Sequence, residues 1–430
     1  MKAAFLLTLA FPLMVQAADW PRFLGPTGAA EVKEAKVPLT WSDTENVAWK
    51  MELPGPGSSS PIVVGDKILV TCWTGYGDRQ GANDMSKLQR HLVCLSLTDG
   101  QKLWNAVVPS TATEDPYQGM ITEHGYATHT PVSDGERVYV FFGKTGALAF
   151  DLDGKQLWHT PLGTESGGRH WGSGGSPILY KDTVIINATD ESRALYALDK
   201  KTGKQVWKAD GGLLDMAYGT PSIMEAAGRT DLVFGLAEEI WGMNPDTGKL
   251  RWYATHRLPG NVSPGLVQDG DVAYLFGGFP TQGSVAVKLG GKDDVTATNV
   301  LWSSKTSSYV PTPILHEGHL YVVNDQGFAI CMEAKTGKDV FRERVIESGG
   351  GRGRGKPFYA SPVLIGDRLY CMSRKGGMYV IAAKPTYEKL ARNVLAADAS
   401  QFNATPAVVG DRMVLRSDWG VYCIAAVSGQ

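Results

Sequence analysis

Residues 194–207 read ALYALDKKTGKQVW, which is an apolar run, a Thr-Gly turn and a second run that ends at Trp207. Two apolar runs joined by a tight turn of this composition are typical of an antiparallel β-hairpin. Similar turns recur in the chain as Asp99-Gly100, Asp153-Gly154, Thr247-Gly248 and Thr336-Gly337. The hairpin is therefore one copy of an internal repeat.

A Ser-Pro or Thr-Pro pair followed by an apolar run opens each copy of the repeat. The eight pairs begin at Ser60, Thr130, Ser176, Thr220, Ser263, Thr312, Ser361 and Thr405. The successive intervals are 70, 46, 44, 43, 49, 49 and 44 residues, and the first is long because residues 75–90 are inserted. Pro is tolerated at the first residue of a strand, and a period of roughly 40–50 residues is that of a four-stranded propeller blade.

The last strand of each unit ends near a large apolar residue, but the eighth unit lacks this strand. The residues in the first seven units are Trp104, Trp158, Trp207, Trp252, Trp302, Phe341 and Leu390. Residues 46–53 have the missing pattern and precede the first Ser-Pro pair. The sequence thus predicts an all-β fold, an eight-bladed β-propeller of four-stranded antiparallel blades whose ring is closed by an N-terminal strand that completes the last blade. We expect the Trp residues to pack between blades.

The amino terminus has the composition of an export signal. Lys2 is followed by an apolar run that ends at Val15 and by the small residues Ala17 and Ala18. This pattern predicts a signal peptide at residues 1–18, cleaved near Ala17 or Ala18, followed by a lead segment at 19–45 and the propeller at 46–430. We expect a periplasmic or secreted monomer without a lipid anchor or membrane insertion.

Charge and cysteine usage exclude some partners. The 42 Lys and Arg residues nearly balance the 44 Asp and Glu residues, so no global field favours nucleic acid. The five cysteines lie in apolar runs and form no CxxC motif. Two alternatives stay open for Cys72 and Cys94: a disulfide between neighbouring strands, or two small buried side chains.

The repeat at residues 194–207 resembles those of the PQQ-like β-propeller superfamily, which includes the quinoprotein alcohol dehydrogenases and the BamB assembly proteins. The resemblance extends from about Trp41 to the carboxyl end, and residues 20–26, WPRFLGP, are similar to the start of secreted members. The dehydrogenase branch implies PQQ with calcium as cofactor. The adjacent cysteine pair of many such enzymes has no counterpart here, and their calcium-binding and catalytic residues find no match in this sequence.

The predicted fold brings the loops that enter the inner strands and those that join strands two and three to one mouth of the channel. A concave channel mouth that collects polar and aromatic groups is the usual place for a ligand. The candidate ligand-binding residues are His124, Tyr126, His129, Arg169, His170, Trp171, Arg193, Glu238, Lys375 and Trp419. The same loops also carry Tyr218, Tyr309, Tyr359 and Asn403, and two segments are candidate lids, residues 75–90 and the basic glycine-rich residues 348–356.

Three functional hypotheses stay open. The first is a non-catalytic binding or scaffold propeller whose channel face holds a protein partner or a carbohydrate. The second is a PQQ-dependent type of oxidoreductase acting on alcohols or sugars, with the cofactor near Trp171 or Trp419. The third is a polysaccharide hydrolase or lyase in which a histidine transfers protons and Arg169 holds an acidic sugar. His124, His129 and His170 could also form a three-histidine metal site, but nothing in their spacing requires a metal.

Overall fold

The structure is a computed structural model, and it describes most of the chain after the predicted signal peptide. The described residues are 19–78, 84–212, 214–215, 217–277, 281–346 and 356–426. They form eight antiparallel sheets of four strands, which confirms the predicted eight-bladed β-propeller. The hydrophobic core lies between the faces of neighbouring blades. No helix among these residues is long and apolar enough to cross a membrane.

Blades are numbered here in the chain order of their inner strands. The strands of blade 1 are Ile62–Val64, Lys67–Thr74, Gln89–Ser96 and Lys102–Pro109. Those of blade 2 are Val132–Ser133, Arg137–Phe141, Ala147–Asp151 and Gln156–Thr160. Those of blade 3 are Ile178–Tyr180, Thr183–Ala188, Ala194–Asp199 and Gln205–Asp210. Those of blade 4 are Ser222–Ala226, Arg229–Gly235, Glu239–Met243 and Leu250–Thr255.

The second half of the ring repeats the same order. The strands of blade 5 are Val267–Asp269, Val272–Gly277, Gly283–Lys288 and Val300–Ser304. Those of blade 6 are Ile314–His316, His319–Val323, Phe328–Glu333 and Asp339–Arg344. Those of blade 7 are Val363–Ile365, Arg368–Ser373, Gly377–Ala382 and Lys389–Asn393. Those of blade 8 are Ala407–Val409, Arg412–Arg416, Gly420–Ile424 and Val47–Glu52.

A few short elements lie outside this pattern. Glu31–Val32 adds a parallel strand to blade 7, and Asp293–Asp294 adds one to blade 4. The helical segments are Met85–Lys87, Gly119–Glu123, Gly143–Thr145, Thr189–Ser192 and Thr296–Asn299. The last two are single α-helical turns and the others are 3₁₀ turns, so they serve as connections rather than as a packed layer.

The amino-terminal strand closes the ring as the sequence predicted. Val47–Glu52 pairs antiparallel with Gly420–Ile424, and Trp49 lies opposite Cys423. Arg416 then links blade 8 to blade 1, because its guanidinium donates to the carbonyls of Ser59 and Thr71 at 2.7 and 2.6 Å. Because the ring is closed, the first and last blades each pack between two neighbouring blades, as the other blades do.

The tryptophans pack between blades, as predicted. The indole nitrogens of Trp49, Trp104, Trp158, Trp207 and Trp302 each donate to a carbonyl of the next blade at 2.9–3.1 Å. Each ring also covers the glycine of the next blade's last turn, so that an added Cβ would meet the ring at 2.4–2.7 Å. Trp252 differs, because it donates to Asp231 of its own blade at 2.7 Å.

The Ser and Thr of the Ser/Thr-Pro pairs form a hydrogen-bonded ring around the channel. In seven steps, a backbone N–H at this position in one blade donates to the hydroxyl of the next blade at 2.8–3.0 Å. In blade 5 the ring position is Gly265, not Ser263, since Gly265 donates to Thr312. The predicted start of this unit is therefore wrong by two residues, and Gly265 has no hydroxyl to continue the ring from blade 4.

The segment from Trp20 to Val32 runs across the channel at the opposite mouth. Trp20 exchanges backbone hydrogen bonds with Val63 of blade 1 at 3.0 and 2.9 Å. Farther along the segment, Ala30 accepts a hydrogen bond from the amide of Leu364 in blade 7 at 2.8 Å. Trp20 is almost completely buried. Trp20 and Leu24 of the WPRFLGP motif therefore belong to the core of the propeller.

The five cysteines are all free and buried. In blade 1, Cys72 lies opposite His91 and Cys94 lies opposite Leu69. Because His91 and Cys94 are three residues apart on one strand, the two cysteine side chains point to opposite faces of the sheet. The disulfide alternative is therefore wrong, and the alternative of two small buried side chains is confirmed.

Candidate functional site

A cavity of about 180 Å³ lies at the channel mouth where the entering loops meet. Four aromatic rings from these loops line it: Trp171, Tyr218, Tyr309 and Tyr359. Phe23 of the amino-terminal segment also lines it, as do hydroxyls of the hydrogen-bonded ring. The cavity thus combines aromatic walls with hydroxyl groups, and the amino-terminal segment lies between it and the opposite mouth.

The aromatic rings form two pairs, and a cation lies beside each pair. Trp171 and Tyr218 stack with ring centroids 5.8 Å apart, and the guanidinium of Arg169 lies 4.9 Å from the Trp171 ring. Tyr309 and Tyr359 are 6.5 Å apart, and the Arg374 guanidinium lies 4.1 Å from the Tyr359 ring. Cation–π contacts of this kind hold a ring in place, so the walls are ordered before a ligand binds.

The long connection between blades 1 and 2 crosses the mouth; we name residues 110–128 the strap. Glu123 of the strap accepts a hydrogen bond from Arg374 of blade 7 at 2.5 Å. Arg374 also donates to Asn403 at 2.9 Å, and Asn403 donates to the carbonyl of Glu123 at 3.1 Å. The strap thereby ties the loop between strands two and three of blade 7 and the entry loop of blade 8 to blade 2, and it forms one side of the cavity.

An aromatic cluster anchors the strap to blade 1. Tyr126 packs with its ring centroid 6.0 Å from those of Trp73 and Tyr76 and 5.9 Å from that of Tyr117. The Tyr126 hydroxyl donates to a strap carbonyl at 2.6 Å, and burial raises the pKa of this side chain. Gly125 has φ of +72°, and an added Cβ would lie 1.9 Å from the Trp73 ring, so only glycine fits.

A second pocket of charged side chains lies behind the cavity wall, between blades 2 and 3; we name it the acid pocket. Its charged residues are Arg90, Glu114, Asp115, Lys144, Glu165, Asp190 and Glu191. Arg90 pairs with Glu114 at 2.7 Å, and Lys144 pairs with Asp115 at 3.2 Å. Asp190 and Glu191 form no salt bridge with a described residue.

Ser173 joins the acid pocket to the cavity, since it lines both. Its hydroxyl is hydrogen-bonded to Glu191 and lies 3.0 Å from Nε2 of His129. Burial raises the pKa of Glu191 to about 8 and that of Asp190 to about 6. Burial lowers the pKa of His129 to about 3, so this ring is neutral near pH 7.

The structure brings only some of the predicted residues to the cavity. His124 and Trp171 line it, Arg169 stacks on Trp171, and Trp419 lies with His124 in an adjoining hollow. His124 is hydrogen-bonded to Thr128 at 2.7 Å, and burial lowers its pKa.

The remaining predicted residues lie elsewhere. Tyr126 and His129 are buried behind the wall, and His170 is 2.9 Å from Asp115 with an exposed ring. Arg193 caps the helix Thr189–Ser192, Glu238 is exposed, and Lys375 lines a separate hollow. The physical reason is that side-chain direction within a loop follows local backbone geometry, which the repeat pattern does not specify.

Several residues of the site were missed or underrated. Glu114, Asp115 and Glu123 come from the strap, and the available signal was the length of the connection that contains it, 22 residues between Pro109 and Val132. Arg90 belongs to the strand Gln89–Ser96, so the predicted insertion ends before it. Tyr309 and Tyr359 were placed on the correct face but were not chosen as candidates.

Two other predictions concern lids and metals. Arg79 and Asn83 of the first candidate lid, and residues 348–355 of the second, lie outside the described residues. The three candidate metal-binding histidines have three separate partners, Thr128, Ser173 and Asp115. Within the part of the chain that the structure describes, no three His, Cys, Asp or Glu side chains are placed to hold a metal ion.

The cavity does not fit the quinone cofactor that the dehydrogenase branch implies. PQQ carries three carboxylates, which require cationic partners when they leave water. Among the described residues that line the cavity, none is Lys or Arg. The nearby cations Arg169, Lys356 and Arg374 lie on the rings of Trp171, Tyr309 and Tyr359, and Arg374 is paired with the one lining carboxylate, Glu123. We therefore derive no chemistry through this cofactor.

Fold and site together define a PQQ-like β-propeller with an aromatic cavity at one channel mouth. A family model described as outer membrane protein assembly factor BamB matches residues 39–170 and 89–343. The chain belongs to this family.

The chain is also similar to individual relatives and to solved structures. BamB of Burkholderia pseudomallei is 24% identical over 376 residues, which are 86% of this chain and 84% of the relative. BamB of Alkalilimnicola ehrlichii is 28% identical over 224 residues, 51% of this chain and about half (49%) of the relative's length. The crystal structure of BamB from Moraxella catarrhalis covers 89% of this chain and 97% of its own, with a TM-score of 0.60 and 13% identity. A europium-containing methanol dehydrogenase covers 95% and 98%, with a TM-score of 0.64 and 11% identity. The two structures share the fold alone.

Proposed function

We propose that this protein is a binding or scaffold propeller of the cell envelope that holds a segment of a partner protein at its channel face. The observation that carries the proposal is the cavity with its two aromatic pairs. A preformed aromatic cavity is suited to receive one apolar or aromatic anchor side chain, around which the rim makes polar contacts.

The family supports the class of function. The matching family model and the two relatives carry the name of an outer membrane protein assembly factor. We extend to this chain the envelope location and the role in protein binding, in agreement with the export signal predicted at residues 1–18. The identity of the partner does not follow from the relatives.

A carbohydrate is the second candidate ligand, and one observation favours it. The ring hydroxyls at the cavity include Ser60, Thr130, Ser176 and Thr405, and each accepts a backbone hydrogen bond. A hydroxyl that accepts one bond still has its own hydrogen to donate. These donors and the aromatic walls would suit a neutral sugar ring.

The catalytic hypotheses receive no support from the geometry. A proton-transferring histidine must reach the substrate, but His129 lies behind the wall and His170, which is paired with Asp115, is not among the described residues that line the cavity. His124 reaches the cavity, where no described carboxylate orients its ring. We therefore prefer binding to turnover.

Site-specific photo-cross-linking in the source cells tests the proposal. A benzophenone amino acid placed at Trp171 or Tyr359 should cross-link one envelope protein. The same probe at Lys201 or Lys335, in exposed turns of the opposite face, is the matched control. Equal cross-linking from both faces would contradict the proposal, and loss of the product on addition of a neutral oligosaccharide would favour the second candidate.

A further inference from the structure

The amino-terminal segment reaches the cavity from behind. Its residue Phe23 lines the cavity and is only partly buried, so part of the ring surface faces the open space. The other described lining residues come from the strap, from the loops at the mouth and from the hydrogen-bonded ring. Because the segment runs across the opposite mouth, Phe23 forms the floor of the cavity and the two aromatic pairs form its walls.

Four of the eight blades hold the segment in place. The backbone bonds to blades 1 and 7 described above fix its two ends. Between them, the carbonyl of Pro21 accepts a hydrogen bond from the amide of Ser133 in blade 2 at 2.8 Å. Leu24 is buried, and a Cβ added at Gly265 of blade 5 would lie 3.6 Å from its side chain. The segment cannot withdraw from the channel unless these contacts break.

The backbone next to Phe23 is strained. Leu24 has φ of 62°, in the left-handed region that residues other than glycine rarely adopt. Gly25 has φ of 75°, and an added Cβ would lie 2.9 Å from the Trp20 ring, so the turn closes on this ring. A strained conformation persists only where its surroundings enforce it, and such residues cluster at ligand-binding sites. The turn therefore holds the Phe23 ring at a fixed depth in the channel.

The size of the cavity indicates what it can hold. Its volume of about 180 Å³ is slightly larger than that of an apolar cavity of about 150 Å³ that binds one benzene molecule. One aromatic ring therefore fits between the two aromatic pairs, whereas the double ring of an indole would meet the Phe23 ring. Contacts between aromatic rings also stabilise beyond the area that they bury. Size and walls together favour the side chain of Phe or Tyr.

We propose that the amino-terminal segment is part of the binding site, and that Phe23 sets the size of the anchor that the cavity accepts. The anchor is the single ring of a Phe or Tyr side chain in the segment of the partner protein. A smaller residue at position 23 deepens the cavity for an indole ring, and a larger residue fills it. This inference rests on the function proposed above, and it gives the WPRFLGP motif a role in binding as well as in the core.

Capped single amino acids test the inference without the partner. The amides of N-acetylphenylalanine, N-acetyltyrosine and N-acetyltryptophan are titrated into the protein, and the Trp171 indole N–H signal is followed by NMR. This signal is identified by its loss in Trp171→Phe. The wild-type protein should bind the two single-ring amides about tenfold more tightly than the tryptophan amide, because the larger ring displaces packed side chains.

Substitutions at Phe23 should change this preference. Phe23→Ala should bind the tryptophan amide about tenfold more tightly than the wild-type protein does, because the clash with the floor is gone. Phe23→Trp should weaken the binding of all three amides, because its larger ring occupies the cavity. The matched control is Phe341→Ala, which removes a partly buried ring from the outermost strand of blade 6 and should keep the wild-type order of affinities. Circular dichroism checks that each variant is folded.

The outcomes separate this inference from the proposed function. The wild-type order of affinities in folded Phe23→Ala would overturn the inference and leave the proposed function intact. So would equal affinities of the wild-type protein for all three amides. A Trp171 signal that none of the amides shifts would contradict the proposed function, and this inference with it, because no aromatic anchor would then enter the cavity. A preference that Phe23 controls, without any cross-linked partner, would uphold the inference and contradict the proposed function.

Discussion

Two glycines with the same backbone conformation allow the packing between blades to be measured. Gly203 and Gly228 have φ of +70° and +72°. A Cβ at Gly203 would meet the Trp158 ring of the preceding blade at 2.6 Å, whereas a Cβ at Gly228 would meet nothing within 4 Å. Substitution by Ala therefore strains both backbones equally and adds a steric clash at only one of them.

The expected costs follow from these distances. Gly228→Ala should lower the free energy of unfolding by about 1–2 kcal/mol, the cost of a left-handed conformation for an L-residue. Gly203→Ala should lower it by a further 1–3 kcal/mol or so, because overpacking forces a blade or a ring to move. Urea denaturation followed by far-UV circular dichroism measures both values. Equal destabilisation by the two substitutions would refute the interpretation that Trp158 joins blades 2 and 3.

Three other predictions concern buried groups. Burial lowers the pKa of His256 to about 4, so this ring stays neutral in the folded state while it binds a proton in the unfolded chain below about pH 6.5. The free energy of unfolding should therefore fall as pH decreases from 6.5 towards 4, by up to about 1.4 kcal/mol per pH unit. The fall should be smaller in His256→Gln. Arg90→Met leaves Glu114 buried without its cation and should cost about 3–5 kcal/mol in urea denaturation, much of which Arg90→Met with Glu114→Gln should recover. Ellman's reagent should find no reactive thiol in the native protein and five after unfolding; a native thiol that reacts rapidly would contradict the burial of the cysteines.

The sequence was sufficient for the ring because a propeller repeats its chemistry. A Ser/Thr-Pro pair recurs in every unit, and a tryptophan recurs in six of the eight blades. The strand at residues 47–52 was recognisable because it has the pattern of a last strand although it precedes the first unit. The same reasoning failed for blade 5, because the pair Ser263-Pro264 lies two residues before Gly265, the residue that occupies this blade's position in the hydrogen-bonded ring. A motif specifies residue types, and only backbone pairing specifies the register.

The site was less accessible to prediction because its contacts are not periodic. The strap has no repeat partner, and its Glu123 bonds to Arg374, 251 residues later in the chain. His124 and Trp171 were found because they lie in entering loops, but Tyr126 and His129 in the same loop turn away into the core. The acid pocket depends on the burial of Asp190 and Glu191. Their sequence reads as a polar turn between two strands, and such turns are expected to be exposed.

Affinity for the cross-linked partner is the measurement that tests the central claim most directly. Purified wild-type protein, Trp171→Ala and the control Tyr180→Ala would be compared by calorimetry. Tyr180 is an aromatic residue at the end of the strand Ile178–Tyr180, towards the opposite face. If the cavity seats the partner's anchor, Trp171→Ala should weaken binding by about thirtyfold or more, the loss expected for a hot-spot residue, while Tyr180→Ala should bind as the wild type does. Equal affinities for all three proteins would contradict the claim that the cavity is the binding site.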